Sequence, residues 1–219
     1  MKLLSFFVPF ALIPVFIACD KEKEEPDTDV DSITLYVDKT QDLGVKGDFL
    51  SSDNSFVASV SKEGIVTANH VGTTYIHTRT KKIPTTVIGM YYMYDDPVTD
   101  WGCSPRDVMS KQKQGSLKGA YSNHSLLYEN VSTATALMYQ FDDNDKLKGV
   151  ALAFPMSYVS RVTDHLMERY FMIPYVSGDI MAIGHNAYDV DDATVAVSLM
   201  YVNTNNFMVI YIPGSAAKK

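Results

Sequence analysis

The chain has 219 residues and a formal net charge of −7, from 19 Lys and Arg against 26 Asp and Glu. This length is enough for one large domain or two small ones. The acidic balance argues against a nucleic-acid partner, because phosphate binding needs a basic patch or stripe. Aromatic residues make up 11% of the chain, which is sufficient for the core of a β-rich fold.

The N-terminus is organised like a secretory signal peptide, with the positive charge of Lys2 before an apolar stretch over residues 3–17. The stretch is shorter than the ~20 apolar residues that span a bilayer. It ends in Phe16-Ile17-Ala18-Cys19, which resembles a bacterial lipobox, with Phe in place of the usual Leu. The resemblance implies a signal peptide over residues 1–19 and a lipid (diacylglycerol and palmitate) on Cys19 that anchors the protein to a membrane. An ordinary signal peptide with a chance cysteine is the alternative.

Residues 20–31 read DKEKEEPDTDVD and are too charged to pack, so we predict a solvated acidic tether. Acidic residues directly after a lipidated cysteine resemble the export tag that some Gram-negative bacteria use for surface lipoproteins. That resemblance implies a lipid-anchored protein of the outer membrane that is exposed on the cell surface. A spacer that faces the periplasm is the alternative. Because Cys19 is used for lipid, Cys103 has no partner for an internal disulfide.

Short apolar runs separated by turns indicate an all-β domain over residues 32–90. The runs are rich in β-branched residues and lack helical spacing, and glycines lie between them. Lys62-Glu63-Gly64 is expected to close a hairpin, because glycine tolerates a positive φ. The predicted strands are Ile33–Val37, Phe56–Val60, Ile65–Ala68, Thr74–His77 and Thr85–Ile88.

Residues 51–80 resemble the bacterial immunoglobulin-like group 2 family. The matching elements are Val57-Ala58-Ser59-Val60, Gly64-Ile65-Val66-Thr67-Ala68 and Gly72-Thr73, while Leu50 stands where the family usually has Trp. The resemblance implies an immunoglobulin-like sandwich. Such modules occur in adhesins and other envelope proteins, so both a spacer and a directly adhesive role stay open.

Residues 91–219 are predicted to form an α+β domain, an antiparallel sheet with two helices on one face. Ser104-Pro105-Arg106-Asp107 has the pattern of a helix N-terminus with a capping box. The order of helices and strands suggests two half repeats, and it resembles small outer-membrane assembly lipoproteins and secreted β-lactamase-inhibitor proteins. The predicted helices are 104–113 and 156–170, and the predicted strands are 134–141, 148–154, 179–184, 194–202 and 207–212.

No motif in the sequence indicates catalysis, a cofactor or a metal site. Cys103 with His124 or His165 is the only nucleophilic pairing to consider, and a lone cysteine is more often a small apolar residue. We therefore expect a protein that is not an enzyme and that has neither cofactor nor metal.

Aromatic residues at the start of the second domain form the candidate binding patch, because exposed aromatics mark recognition surfaces. The patch comprises Tyr91, Tyr92, Tyr94 and Trp101. The alternative is a strand that packs the two domains together. The favoured hypothesis is a surface lipoprotein for cell adhesion, with an immunoglobulin-like stalk that presents an α+β domain to an unknown protein or glycan. The competing hypothesis is an assembly or scaffold lipoprotein on the periplasmic side of the outer membrane.

Overall fold

A computed structural model describes residues 28–119 and 121–218. The predicted signal peptide, the predicted lipid attachment site Cys19 and most of the acidic tether lie outside the described residues. Within the described part, the chain forms fifteen β-strands and two α-helices. The β-rich character that the sequence predicts is therefore confirmed. No helix in this part of the chain is both long and apolar enough to cross a membrane.

Two small sheets make up the N-terminal unit, residues 33–88. A four-stranded sheet has the order β1-β7-β6-β3, and a three-stranded sheet has the order β2-β5-β4. The pair β1 and β7 is parallel and the other pairs are antiparallel. The strands are β1 Ile33–Tyr36, β2 Thr40–Asp42, β3 Ser51–Ser52, β4 Ala58–Val60, β5 Ile65–Ala68, β6 Gly72–His77 and β7 Lys82–Ile88.

Side chains from both sheets share one apolar cluster, which includes Ile33, Ala58, Val66, Ile76 and Val87. The five predicted strands are present. Strands β2 and β3 were not predicted, because they are short and consist of polar residues.

The predicted hairpin between β4 and β5 is confirmed. Gly64 has a φ of +84°, and an added Cβ would lie 1.9 Å from the carbonyl oxygen of Val45. The position therefore requires glycine for both backbone conformation and space.

One eight-stranded antiparallel sheet dominates the C-terminal unit, residues 105–218. Its strand order is β12-β13-β14-β15-β11-β10-β9-β8. The strands are β8 Ser116–Leu117, β9 Ser125–Glu129, β10 Ala136–Phe141, β11 Leu147–Pro155, β12 Phe171–Ser177, β13 Ile180–His185, β14 Val195–Asn203 and β15 Asn206–Pro213. The helices are α1 Pro105–Lys111 and α2 Val159–Met167, with short 3₁₀ turns at Met156–Tyr158, Val190–Asp192 and Ala216–Lys218.

The order of these elements repeats. Helix α1 precedes the four strands β8 to β11, and helix α2 precedes the four strands β12 to β15. The last strands of the two halves, β11 and β15, pair at the centre of the sheet. The two half repeats expected from the sequence are thus present, although β8, β9 and β12 were not predicted.

Alternate residues of the central strands are buried on one face of the sheet. Leu137, Leu152 and Val209 are among them, and Val108 of α1 and Val162 of α2 belong to the same cluster. Both helices therefore pack on that face.

Helix α1 has the predicted capping box, with Ser104 and Asp107 each bonded to the other's backbone. Burial does not continue to the end of β14: Val195, Val197 and Leu199 are buried, but Tyr201 is 36% exposed. The ladder between β14 and β15 shifts register between Tyr201 and Asn203.

Candidate functional site

The two units are joined by residues 89–94, here called the junction, which run beside the end of helix α2. Glu168 follows the last residue of α2, and its side chain is buried. Its carboxylate accepts hydrogen bonds from the backbone N–H of Met90 (2.8 Å) and of Tyr91 (2.9 Å). Its own carbonyl oxygen accepts from the backbone N–H of Val71 at 2.7 Å. Glu168 thus binds both the junction and the N-terminal unit.

Gly89 permits this close approach. A Cβ at this position would lie 2.5 Å from Oε2 of Glu168 and 3.1 Å from a methyl of Val71. Arg169 adds a positive charge nearby: its guanidinium donates to the carbonyl of His165 (3.0 Å) and forms an ion pair with Asp96.

His165 lies on the buried side of α2, against the same junction. Its Nδ1 is 3.0 Å from the carbonyl oxygen of Tyr91, and its ring centroid is 4.3 Å from that of Tyr94. Burial, with the charge of Arg169 as a second cause, lowers the pKa of His165 to about 4. The ring is therefore neutral at pH 7. Its Nδ1 also lies 3.4 Å from the backbone N of Met93, so the tautomer decides whether Nδ1 donates to Tyr91 or accepts from Met93, while Nε2 has no hydrogen-bond partner among the described residues.

Aromatic rings from the two units also contact one another. Phe56 and His70 are stacked at 3.8 Å with parallel planes, and Tyr188 contacts both with its edge, at 5.2 Å and 5.9 Å. Phe171 lies 6.2 Å from Tyr188. Burial lowers the pKa of His70, whose Nδ1 bonds the carbonyl of Phe56. Tyr188 is 53% exposed, so one ring of this cluster is presented to solvent.

A cleft of about 520 Å³ opens between the two units at this point, and we call it the inter-unit cleft. It is within the size range of small-molecule sites. Exposed aromatic rings and carboxylates line it together. Its lining residues are Val37, Asp38, Asn69, His70, Met90, Tyr91, Asp164, Met167, Glu168 and Tyr188.

The predicted aromatic patch is not one surface. Tyr91 is 45% exposed and lines the inter-unit cleft, and Tyr92 is exposed nearby, with its hydroxyl bonded to Asp95. The prediction that Tyr94 belongs to this patch is wrong. Its side chain is fully buried, and its hydroxyl oxygen lies 2.7 Å from that of Tyr211. Trp101 is partly buried and donates its indole N–H to the carbonyl of Thr194. Exposure therefore changes between Tyr92 and Met93: the first two residues of this aromatic run face solvent, whereas Met93 and Tyr94 are buried in the core of the C-terminal unit.

Sequence reasoning missed Phe56, His70 and Tyr188. Phe56 was predicted only as the first residue of a strand, His70 belongs to no motif, and Tyr188 lies in an acidic loop. Phe56 and His70 stack within the N-terminal unit, and Tyr188 joins them only through packing of the two units, for which the sequence carries no signal.

Cys103, His124 and His165, the other residues considered for chemistry, have separate surroundings in the described chain. Burial raises the pKa of the Cys103 thiol, which disfavours the reactive thiolate. His165 is bonded at the junction, and His124 lies beside Tyr121 and Asp145. Residues 28–119 and 121–218 contain no group of three or more His, Cys, Asp or Glu placed to hold a metal ion.

No protein family matches the chain, and no curated protein matches it either. Among solved structures, domains 5–6 of the S-layer protein SbsC align with 15% identity over 87% of this chain and 85% of that chain, with a TM-score of 0.23. A fragment with domains 4–9 of SbsC aligns with 16% identity over 86% of this chain and 26% of that chain, with the same TM-score. A TM-score this low carries no argument about the fold or the function.

Replacement of Glu168 by Ala should lower the free energy of unfolding by about 3 kcal/mol, because two backbone donors lose a charged acceptor. Chemical denaturation measures this loss, and proteolysis should become faster at the junction. Glu129→Ala serves as the control, because Glu129 forms an exposed ion pair with Lys118 that contributes little. Equal effects of the two substitutions would contradict the structural role of Glu168.

Acidification should destabilise the protein through His165. The unfolded chain binds a proton on this residue near pH 6.5, whereas the folded chain does so only near pH 4. Stability is therefore unaffected above pH 6.5 and falls as the pH is lowered toward 4, by about 2 kcal/mol between pH 7 and pH 5. Unfolding titrations at both pH values test this. In His165→Gln, which keeps a donor for Tyr91, the loss should be smaller; an unchanged loss would exclude His165 as its source.

Proposed function

We propose that this chain is a non-enzymatic lipoprotein of the outer membrane, displayed on the cell surface, and that it binds a neutral glycan in the inter-unit cleft. In this proposal, the N-terminal unit is an immunoglobulin-like module of the group 2 type and acts as a stalk. Its two sheets around one core support that assignment, together with the residue pattern of β4 to β6. The lipid on Cys19 holds the protein to the membrane, and the biological role is adhesion.

The observation that carries the proposal is the composition of the inter-unit cleft. Sugars present apolar C–H faces that stack on aromatic rings, and hydroxyl edges that bond to carboxylates and amides. Tyr91 and Tyr188 supply exposed rings, and Asp38, Asn69 and Asp164 supply polar groups at the same cleft. The concave shape favours a glycan over a folded protein, because protein interfaces are larger and flatter.

The charge of the cleft narrows the class of glycan. Acidic side chains line it, and neither Lys nor Arg is among the described lining residues. An acidic sugar would place a carboxylate next to Asp38 or Asp164 without a compensating cation. The cleft therefore favours neutral sugars over uronic or sialic acids.

Replacement of Tyr188 by Ala should weaken glycan binding by about tenfold, the equivalent of roughly 1.4 kcal/mol for one lost stacking contact. The purified full chain is first screened on a glycan array, and the affinity for the best neutral glycan is then measured by calorimetry. Tyr75→Ala is the control, because Tyr75 is similarly exposed but lies on β6, outside the lining of the inter-unit cleft. Preferential binding of acidic glycans, or unchanged affinity in Tyr188→Ala, would contradict the proposed site.

Intact cells should be labelled on this protein by a membrane-impermeant amine reagent, because the tether and the N-terminal unit carry lysines. The Cys19→Ser variant should lose both fatty-acid incorporation and membrane association. Protein that is labelled only after the outer membrane is permeabilised would exclude surface display and favour the periplasmic scaffold. A known periplasmic protein controls for leakage.

A further inference from the structure

The eight-stranded sheet has a second face, opposite the helices, which we call the open face. On the central strands β10, β11, β14 and β15 its residues are half-buried or exposed and alternate with core residues. Apart from Gln140, Ser198 and Asn206, these residues are apolar or glycine. Asp, Glu, Lys and Arg are absent from these described positions, which lie in residues 136–140, 149–153, 196–200 and 206–212.

This composition is unusual for a sheet face in water. Antiparallel sheets with one solvated face normally alternate apolar and polar residues. A mostly apolar sheet face that extends over four neighbouring strands indicates an interaction site. It is also out of keeping with a chain whose net charge is −7.

Side-chain size on the open face differs from strand to strand. Along β11 its residues are small: Gly149, Ala151 and Ala153. Ala151 lies between Met138 of β10 and Ile210 of β15 in the ladder, and Ala153 pairs with Met208 of β15. A shallow trough thus runs along β11, flanked by ridges of larger side chains.

We propose that the open face binds the open face of a second copy of this chain, around a two-fold axis. The ridges of one copy fill the trough of the other, as in two sheets that pack face to face about 10 Å apart. A two-fold interface needs a surface that is complementary to itself. A face that has both ridges and a trough can be complementary to itself, because each copy supplies the ridges that fill the other's trough. Because the positions named above on the central strands carry no charge, they bring no like charges together when two acidic chains meet.

The available area agrees with a stable dimer. The six neighbouring strands β10 to β15 have six to nine residues each. At a spacing of ~4.8 Å they span roughly 24 Å, and at ~3.3 Å per residue they are about 20–30 Å long. The footprint is therefore roughly 500–700 Å² on each partner, so that two copies together bury more than the ~1,000 Å² expected of a biological interface.

The test compares two methionines of similar exposure on opposite sides of the sheet. Met138 on the open face is 39% exposed, and Met109 on α1 is 41% exposed. The full chain is purified in non-ionic detergent and its mass is determined by sedimentation. Wild type and Met109→Lys should be dimers, while Met138→Lys should associate at least tenfold more weakly and retain the wild-type circular dichroism spectrum.

Cross-linking detects the dimer without a charged substitution in the open face. In native membranes, Met138→Cys should give a dimer with a short bismaleimide, and Met109→Cys should not. A monomeric wild type, or equal cross-linking of the two variants, would overturn the proposal. So would binding of the wild-type monomer to phosphatidylethanolamine and phosphatidylglycerol vesicles that depends on Met138, because the open face would then bind lipid.

Discussion

The buried carboxylate of Glu168 fixes the relation between the two units. A negative charge after the last turn of a helix is unfavourable, because the carbonyl end of a helix is itself negative. Two backbone N–H groups of the junction and the nearby guanidinium of Arg169 offset that cost. If these donors were elsewhere, the carboxylate would be buried without partners, so the helix end and the junction stabilise one another in this position.

The inter-unit cleft exists because of this arrangement. The N-terminal unit contributes the stacked rings of Phe56 and His70, and the loop before β14 contributes Tyr188. Neither unit alone has the complete set of lining groups. A change in the relative orientation of the units would therefore alter the shape of the cleft before it altered either core.

Much of the fold could be predicted from the sequence, because alternation and capping are local signals. Large apolar residues occupy every second position along most of β10, β11, β14 and β15, and helix α1 has its capping box in four consecutive residues. Short polar strands such as β2 and β3 gave no signal, because backbone pairing with their neighbours defines them. Strand β12 was missed because the apolar residues after α2 continue without a turn signal.

The candidate site was much harder to predict. Tyr91 was identified from its aromatic neighbours, but the burial of Tyr94 depends on its contacts with Tyr211 and Phe154, which are distant in sequence. The same holds for Tyr188, whose ring partners Phe56 and His70 belong to the other unit. Local composition shows which segments contain aromatic residues, but it does not predict which of these residues pack together.

The parallel pairing of β1 with β7 has a mechanical consequence. Tension applied between the residues before β1 and the C-terminal unit enters at the start of β1 and leaves at the end of β7, which are opposite ends of the pair. Such a load acts along the strands. The hydrogen bonds that join Ile33–Tyr36 of β1 to Thr85–Ile88 of β7 therefore resist it together and do not open one after another. A chain held at its N-terminus and pulled through a bound ligand would therefore carry the force in shear, the geometry in which a β-sheet is strongest.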